Sequence, residues 1–447
     1  MTASATYEGR RDGLLGVLRQ AQGGRVGLSK NTSNLFRDRA RGPKRLLDVR
    51  EFDHVLAVDR ANGWIEAEGM ATYEALLARA LAYGVMPAVV PQLKTITLGG
   101  AAAGVGIEAS SFRYGLVHET VSELDILTGE GRVLTCRADN EFSDLYYGFP
   151  NSYGTLGYAL RLRANVTPVK PFVELRHVRY TRSAAFWDAL VRAWDDGADF
   201  IDGMAFDRGE LYLNISRFVD AAPHLSDYTY QHIYYRSIRD KEIDWLTVND
   251  FVWRWDTDWF WCSRNLGAEV PWVRRLYGRK RLGSRTYQRI MRLNSRVGFT
   301  RALDRLRGVH AETVIQDVDV PLERAADFLD FFQSTVGIAP VWICPFAASA
   351  RAAAFVLYPL APQGRYVNFG FWDTVRHESV HEPGYFNRMI ERKVIERGGI
   401  KSLYSDSFYA EDDFWRIYNG AAYRGLKSKY DPHNMFPDLY AKCVERA

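Results

Sequence analysis

The chain has 447 residues, more than a single hydrophobic core usually serves, so we expect at least two domains. Its four cysteines (Cys136, Cys262, Cys344 and Cys443) form no metal-binding or Cys-x-x-Cys spacing, which argues against a zinc site and favours a reduced, cytoplasmic setting. No segment reaches the roughly 18 apolar residues of a membrane span, so we expect neither a secreted nor an integral membrane protein.

The first part of the chain is predicted to form short strands joined by tight turns. Strands are expected at 45–49 and 54–69, the second folded back at Asn62-Gly63, a dipeptide that suits a type I′ hairpin turn. A helix is predicted over 72–83, because its leucines and alanines fall on one face and Gly84 supplies a stop. A hairpin over 121–136 and a strand over 158–166 follow.

Between these elements lies a glycine-rich run, residues 99–115, with no helical or alternating period. Such a run predicts backbone shaped around a ligand, for which a phosphate-bearing cofactor is the natural candidate; a plain surface loop is the alternative. The run does not match the G-x-G-x-x-G fingerprint, which needs a preceding strand, a following helix and a later acid. A nicotinamide-binding Rossmann domain is therefore not expected.

Beyond Pro171 the pattern changes to strands separated by longer helices, predicted over 183–194, 321–333 and 384–397. That alternation suits an antiparallel sheet backed by helices, the α+β arrangement.

Three motifs resemble the FAD domain of flavoproteins of the vanillyl-alcohol-oxidase type: a T-x-G-G turn at 97–100, a glycine- and serine-rich loop at 104–115 and a G-x-L-G turn at 154–157. From VPQLKTITLGG to the FPDLYAKC tail the chain is similar to delta-24 sterol reductases. The resemblance implies a two-subdomain, PCMH-type FAD-binding lobe over 1–168, an α+β cap domain with an antiparallel sheet over 169–419, and a segment, 420–447, that returns to the FAD lobe.

The resemblance also implies which residues hold FAD. Short polar side chains beside exposed backbone N–H groups in the loop 27–37 are typical of a nest that binds pyrophosphate. The predicted FAD-binding residues are Ser29, Lys30, Asn31, Thr32, Ser33, Asn34, Leu98, Gly99, Gly100, Gly104, Gly106, Glu108, Ser110, Ser111, Gly115, Gly154, Thr155 and Gly157.

Family members that bind FAD covalently commonly use a histidine in the first loop or a cysteine in the second. Neither residue type occurs in 26–37 or 97–115, so we expect non-covalent FAD. His118, just downstream, is the one residue that could contradict this.

Residues 398–415 hold the predicted catalytic groups. In related flavin oxidases of a polyprenyl-linked sugar, a lysine precedes an Asp-Ser pair; here Asp406 and Ser407 match the pair, but Ser405 stands at the lysine position. This argues against alcohol oxidation of that type. Reducing a carbon–carbon double bond needs a hydride from flavin N5 and a proton from a positioned acid. Tyr404 is the predicted donor, tuned by Asp406 or Lys427.

Tyr409 and His310 are alternative proton donors. Gln316, Trp342 and Cys344 lie in two strands, QDVDVP and VWICPF, that are predicted to face the flavin and to form the wall of the substrate pocket. Cys344, between two apolar neighbours, is expected to be an inert wall residue.

An aromatic segment with six tryptophans, from Trp245 to Trp272, leads into a basic one. Residues 271–310 hold twelve basic residues and one acid, Asp304. No nucleic-acid-binding motif occurs, so a nucleic-acid partner is not expected. Aromatic residues beside arginines are typical of an interfacial membrane surface, which predicts peripheral docking on anionic lipid at the inner face of the membrane. A solvated helix face is the alternative.

These observations predict an FAD-dependent reductase of a double bond in a lipid, either a sterol side chain or a methylene-branched fatty acyl chain, with NADPH as the electron source. The arginine-rich composition favours the acyl lipid. One alternative is an FAD-dependent oxidase or dehydrogenase of a sugar, lactone or alcohol. Another is a non-catalytic protein that binds flavin and lipid.

Overall fold

The computed structural model describes residues 6–20, 24–33, 36–37, 45–297, 310–377 and 379–446, and for 291–297 the backbone alone. Two separate antiparallel sheets carry helices on their faces, so the α+β prediction is confirmed. Within these ranges no helix is long and apolar enough to cross a bilayer.

The N-terminal lobe combines a small parallel pair, β1–β2, with a six-stranded antiparallel sheet of order β3-β4-β8-β6-β7, in which β5 also pairs with β8. The strands are β1 (Val26–Ser29), β2 (Arg45–Asp48), β3 (Val55–Asp59), β4 (Trp64–Glu68), β5 (Val85–Pro87), β6 (Val121–Leu127), β7 (Val133–Arg137) and β8 (Tyr158–Pro168). The helices are α1 (Tyr7–Arg19), α2 (Tyr73–Leu81), α3 (Leu98–Ala103), α4 (Ser111–Tyr114) and α5 (Ser143–Gly148).

Local sequence signals account for much of this lobe. Gly63 has φ +72°, the conformation that the predicted hairpin between β3 and β4 requires. Helix α2 begins after Thr72, whose hydroxyl accepts a hydrogen bond from the Ala75 N–H, and it buries Leu76 and Leu77 against the sheet. The helix predicted over 72–83 is thus confirmed.

The glycine run differs from its prediction. Residues 98–103 form helix α3, capped by Thr97, whose hydroxyl accepts the Gly100 N–H at 3.2 Å. The Gly99 N–H donates to the Gly69 carbonyl at 3.0 Å, so this turn is held by the lobe's own backbone. These alanines and glycines show no helical pattern of apolar residues. They form a helix because the Thr97 cap and the tight packing stabilise it.

The second sheet, called the large sheet below, has eight antiparallel strands in the order β12-β9-β11-β10-β14-β15-β13-β16. Its strands are β9 (Phe172–Tyr180), β10 (Phe200–Asp207), β11 (Glu210–Val219), β12 (Ile243–Thr247), β13 (His310–Pro321), β14 (Val341–Ala347), β15 (Arg365–His377) and β16 (Ile400–Lys401). The helices between them are α6 (Ser183–Asp195), α7 (Tyr234–Asp240), α8 (Val248–Val252), α9 (Pro271–Tyr277), α10 (Ser284–Val297), α11 (Leu322–Thr335) and α12 (Tyr385–Glu396).

The two faces of the large sheet pack against different parts of the protein. Helices α6, α11 and α12 bury one face in an apolar core, where Phe328 and Phe332 pack against Phe369 and Phe371. The other face carries aromatic and acidic side chains and looks toward the N-terminal lobe. Because side chains alternate along a strand, this arrangement decides which residues of β13, β14 and β15 can reach a site between the sheets.

The chain ends in α13 (Glu411–Ile417), α14 (Gly420–Tyr430) and α15 (Leu439–Cys443). This segment contacts the N-terminal lobe: the Val26 N–H donates to the Met435 carbonyl at 2.8 Å, and the Gly129 N–H donates to the Tyr430 carbonyl at 2.9 Å. The C-terminal segment therefore returns to the N-terminal lobe.

Candidate active site

One cavity of about 490 Å³ lies between the glycine run and the open face of the large sheet. Its lobe side is lined by residues of β1, the glycine run and the 153–159 turn. Its sheet side is lined by Trp259, Phe260, Cys262, Asp317, Asp319, Trp342, Tyr358, Asn368, Trp372, Ser402 and Tyr404. A ligand held by the glycine run would therefore face these side chains directly.

Many of the predicted site residues lie in this cavity, although their roles stay predictions. The lining includes Lys30, Thr32, Ser33, Gly99, Gly100, Gly104, Gly106, Glu108, Gly154, Gly157, Trp342 and Tyr404. The predicted residues Ser29, Asn31, Leu98, Ser110, Ser111, Gly115 and Thr155 are outside the lining. Asn34 lies outside the described residues.

Three of the predicted residues outside the lining, Ser110, Ser111 and Gly115, hold in place a loop that carries lining residues. The Ser111 hydroxyl accepts the Glu108 N–H at 3.1 Å, and the Ser110 hydroxyl donates to the Ala88 carbonyl at 2.8 Å. Gly115 has φ +77°, with Glu119 packed where a Cβ would lie. These residues fix the loop that presents Glu108 and Gly106 to the cavity.

The lobe side of the cavity fits an extended anionic cofactor such as FAD. The backbone approaches itself closely, since a Cβ on Gly104 would lie 2.9 Å from the Gly100 carbonyl oxygen. Three cations, Lys30, Arg37 and Lys442, line the cavity. Arg37 is buried, and its Nη2 has no hydrogen-bond partner among the residues that the structure describes, so it is a donor available to a ligand.

Arg37 was missed at the sequence level because a local polar loop gave no reason to single it out. Its Nη1 donates to the Leu403 carbonyl at 2.5 Å, and the preceding Phe36 N–H donates to the Tyr404 carbonyl at 3.0 Å. These contacts join segments 366 residues apart, a separation that no local pattern reveals.

Two of the three predicted catalytic residues lie away from the cavity lining. The Lys427 ammonium is buried and donates to Asp431 Oδ2 at 2.5 Å and to the Thr155 and Phe436 carbonyls at 2.9 and 2.8 Å. Lys427 therefore ties the C-terminal segment to the G-x-L-G turn outside the cavity lining, and its catalytic role stays a prediction. Asp406 is likewise outside the lining, with its carbonyl accepting the Lys401 ammonium at 2.6 Å.

Gln316 was assigned to the wrong face of β13. Its Nε2 donates to Asn387 Oδ1 at 2.5 Å on the helix-covered face, whereas its neighbour Asp317 points into the cavity. The sequence showed the strand but not its orientation, and one residue reverses the face. Cys344 is fully buried beside the lining and is not part of it, so only Trp342 of the three predicted pocket residues reaches the cavity.

Asp317 and Asp319, two residues apart on β13, both line the cavity. Burial and the neighbouring Asp319 carboxylate raise the pKa of Asp317 to about 8, and burial raises the pKa of Asp319 to about 7. At neutral pH the pair therefore holds a proton at the cavity wall. These acids are the main catalytic candidates that sequence reasoning missed; the alternation of QDVDVP was the signal that could have located them.

The two acids differ in their partners. Asp319 accepts hydrogen bonds from the Tyr358 hydroxyl and from Asn368 Nδ2, both at 2.7 Å. Asp317 Oδ1 is buried and has no hydrogen-bond partner within the described part of the chain. Beside it, the Tyr404 hydroxyl partly offsets the effect of burial on the Asp317 pKa, and this hydroxyl accepts the Trp372 indole N–H at 2.8 Å. Asp317 thus has an oxygen available to a ligand, and Asp319 does not.

The apolar wall consists of stacked aromatic rings. The Phe260 ring lies 4.3 Å from Trp372 and 5.8 Å from Trp342, centroid to centroid, and Phe36 stacks on Trp259 at 5.3 Å. Trp259 and Phe260 have φ +47° and +60°, a conformation that bulky residues rarely adopt. Strain of this kind persists where the surroundings hold it, and here it turns both rings into the cavity.

Glu108 brings a third buried acid to the cavity, on the lobe side. Burial raises its pKa to about 8, and the Arg254 guanidinium, 3.8 Å away, partly offsets this. Arg254 also donates to Asp202 Oδ2 at 2.9 Å, and Gln92 donates to the Glu108 carboxyl. Glu108 is therefore a neutral hydrogen-bonding group at neutral pH.

The alternative proton donors lie elsewhere. His118 is buried against Phe355, outside the cavity lining, and burial lowers its pKa to about 4. Tyr409 packs on Phe414 and Tyr418, and His310 stacks on His377 at the exposed end of β13.

The aromatic and basic segments separate in space. Trp253, Trp255, Trp259 and Trp261 are buried, whereas Trp272 is 65% exposed. Arg274, predicted as part of the basic surface, is fully buried and bonds Asp258 through Nη1 at 2.5 Å. Its assignment to the surface is corrected, and residues 298–309 of the predicted patch lie outside the described residues.

Comparison with known proteins identifies the class. Residues 20–137, which hold the glycine run and β1 to β7, match the family model described as FAD binding domain. This match confirms the predicted PCMH-type FAD-binding domain in the N-terminal part of the chain. The relatives that follow are named as reductases and as a dehydrogenase.

The similarity to individual proteins extends beyond that domain. The chain is 24% identical to the Delta(24)-sterol reductase of Homo sapiens over 410 residues, covering 88% of this chain and 76% of that protein. It is 24% identical to the Arabidopsis thaliana Delta(24)-sterol reductase over 438 residues, covering 89% and 76%. The chain is 22% identical to the Cytokinin dehydrogenase 7 of Oryza sativa subsp. japonica over 406 residues, covering 83% of this chain and 72% of that protein.

Proposed function

We propose that the protein uses FAD to reduce a carbon–carbon double bond in a lipid, with electrons from NADPH. One observation carries the proposal: the cavity that begins at the FAD-binding domain ends at an aromatic wall with a protonated carboxyl, Asp317, that keeps an oxygen unpartnered. The similarity to two sterol reductases over almost 90% of the chain supports the same chemistry.

The chain's own residues supply what the reaction needs besides a hydride. FAD, when bound, supplies that hydride from its reduced ring. Asp317 holds the proton that the second carbon must receive, and Tyr404 stands beside it, oriented by Trp372. The rings of Trp259, Phe260 and Trp342 exclude water from the reacting carbons.

A lipid substrate follows from the wall's chemistry. An isolated double bond in a hydrocarbon offers no polar atom to bind, so a pocket recognises it through shape and apolar contact. The aromatic wall provides such contact on the sheet side. Both an unsaturated sterol side chain and a methylene-branched fatty acyl chain suit it; the named relatives favour the sterol and the arginine-rich composition favours the acyl chain.

Oxidation of a sugar, lactone or alcohol receives less support. That alternative needs a cation at the position of Ser405 or a substitute from Lys427 or Lys429. Lys427 is bound to Asp431, and Lys429 pairs with Asp144 at 2.7 Å. Lys401, close in sequence, is buried against Glu391 at 2.7 Å. None of the three lysines lines the cavity.

Anaerobic stopped-flow mixing with NADPH tests the proposal. We expect NADPH to bleach the flavin, and a sterol with an unsaturated side chain or a methylene-branched acyl phospholipid to restore its colour, with a product heavier by two hydrogens in mass spectrometry. Bleaching by a polyol alone would support the oxidase, and no bleaching by any donor would support a non-catalytic protein. If dithionite-reduced enzyme saturates the lipid but NADPH does not bleach it, only the reductant is wrong.

FAD is proposed to be non-covalent. No histidine lines the cavity, and Cys262 is its one cysteine within the described residues, on the sheet side. Burial raises the pKa of Cys262 to about 12, so its thiol is a poor nucleophile. Acid precipitation should leave the flavin in the supernatant; flavin retained by the precipitated chain would refute this assignment.

A further inference from the structure

The segment 270–281, called the α9 surface below, exposes large apolar side chains. Trp272 is 65% exposed, Leu276 is 70% exposed and Val270 is 42% exposed. Trp272 and Leu276 are four residues apart on α9, so they project from the same side of the helix. Two such side chains on one short helix are unusual for a surface that faces only water.

Cations surround these apolar residues. Arg275, Lys280 and Arg281 are exposed, and none forms an ion pair with any described residue. The nearest acids in sequence are already engaged, since Asp258 bonds Arg274 and Glu269 bonds Tyr235 and Arg236. The α9 surface is therefore both apolar and positively charged.

The protein side of α9 leads to the cavity wall. Arg274 ties the helix to Asp258, the residue before Trp259. Tyr277 contacts Tyr287 at 6.3 Å between ring centroids, and Tyr287 stacks on the cavity-lining Trp259 at 6.3 Å. Tyr287 thus lies between α9 and a ring of the cavity wall.

We propose that the α9 surface docks the protein on an anionic phospholipid bilayer, with Trp272 and Leu276 entering the interface and Arg275, Lys280 and Arg281 meeting the headgroups. Tryptophan side chains settle at headgroup depth, and cations are attracted to anionic lipid. A second copy of the chain fits less well, because a symmetric contact would place these three cations opposite the same three cations of the partner. A stable dimer also needs a buried area of about 800 Å² per partner.

Vesicle sedimentation tests the α9 surface. Flavin-loaded protein should sediment with vesicles of phosphatidylcholine and phosphatidylglycerol in equal parts, should stay in solution with pure phosphatidylcholine, and should be released by high salt. R275E/K280E/R281E should weaken binding by more than roughly 100-fold, because the loss of three basic residues at about fivefold each already gives that factor and the introduced carboxylates add repulsion. W272S/L276S should also weaken it while keeping the cations.

The matched control is R182E/R324E/R392E, which reverses three exposed arginines beside the helices on the other face of the large sheet. This variant should bind vesicles like the original protein. Equal binding by all variants, equal loss in the control, or no vesicle binding at all would overturn the proposal. A change from dimer to monomer in W272S/L276S would also overturn it, and so would binding of the protein to duplex DNA but not to vesicles.

This inference is independent of the proposed function. Flavin content and bleaching by NADPH are measured on the same variants without lipid, so a failed docking experiment and a failed reductase experiment are distinguishable. The α9 variants should keep both properties, because no residue of the α9 surface lines the cavity.

Discussion

The Trp372 indole N–H donates to the Tyr404 hydroxyl oxygen at 2.8 Å, at the wall of the cavity. Because indole nitrogen is only a donor, this bond fixes the phenol oxygen as acceptor and leaves the phenol proton free to face Asp317 or a ligand. Burial and the Asp317 carboxyl raise the pKa of Tyr404 well above its ordinary value, so the phenol keeps its proton at neutral pH. The arrangement is suited to giving a proton and poorly suited to removing one.

Replacing Asp317 by asparagine should lower the turnover of the lipid substrate by roughly 10²- to 10³-fold, since a positioned general acid contributes on that order. Flavin content and the rate of flavin bleaching by NADPH should be nearly unchanged. Steady-state turnover and stopped-flow bleaching of the same preparation separate the two effects.

The matched control is Asp319→Asn, because Asp319 is already satisfied by Tyr358 and Asn368. We expect it to lose less than about tenfold in turnover. Equal losses in the two variants would show that Asp317 acts through packing and not as the acid.

The pH profile of turnover should have an alkaline limb. Burial and the Asp319 carboxylate raise the pKa of Asp317 to about 8, so the acid is protonated and active below that pH and is lost above it. In Asp319→Asn the repulsion that raises this pKa is gone, and the limb should move to lower pH. A profile that stays flat through pH 8, or a limb that moves upward in this variant, would contradict the assignment.

Arg274→Ala should destabilise the protein by about 3 to 5 kcal/mol, because it leaves the Asp258 carboxyl buried without its partner. Burial already raises the pKa of Asp258 to about 6 in the presence of the arginine. Urea unfolding followed by circular dichroism measures the free energy.

The next residue provides the control for that change. Arg275 is exposed, so Arg275→Ala should alter the free energy of unfolding by less than about 0.5 kcal/mol. A similar loss in both variants would mean that the Arg274–Asp258 pair does not hold α9 against the cavity wall.

Gly104→Val should abolish retention of FAD, since its side chain would meet the Gly100 carbonyl oxygen and the Tyr153 ring at the cavity edge. Gly425→Val is the control, because Gly425 is exposed on α14 and has nothing within 4 Å of the added carbon. The ratio of flavin to protein absorbance after gel filtration reports the result. Stoichiometric flavin in Gly104→Val would mean that the cofactor lies elsewhere.

Some elements follow from the sequence alone because their causes are local. The Asn62-Gly63 turn, the one-sided leucines of α2 with the Gly84 stop, and the T-x-G-G motif each depend on a few nearby residues, and each led to a correct element or class. The alternation of strands and helices beyond Pro171 likewise predicted the α+β arrangement. Of the predicted FAD-site residues, many line the cavity, and they lie in the three short segments 30–33, 99–108 and 154–157, each of which carries a local motif.

Orientation and long-range contact were decided only by the tertiary structure. Gln316 and Asp317 are neighbours of similar polarity, and the helices packed on one side of the large sheet determine which of them meets the cavity. Arg274 and Arg275 differ for the same reason, since only the first finds Asp258 behind it. The hydrogen bond from Arg37 to the Leu403 carbonyl depends on the fold of the entire chain, because no local sequence pattern indicates a partner 366 residues away.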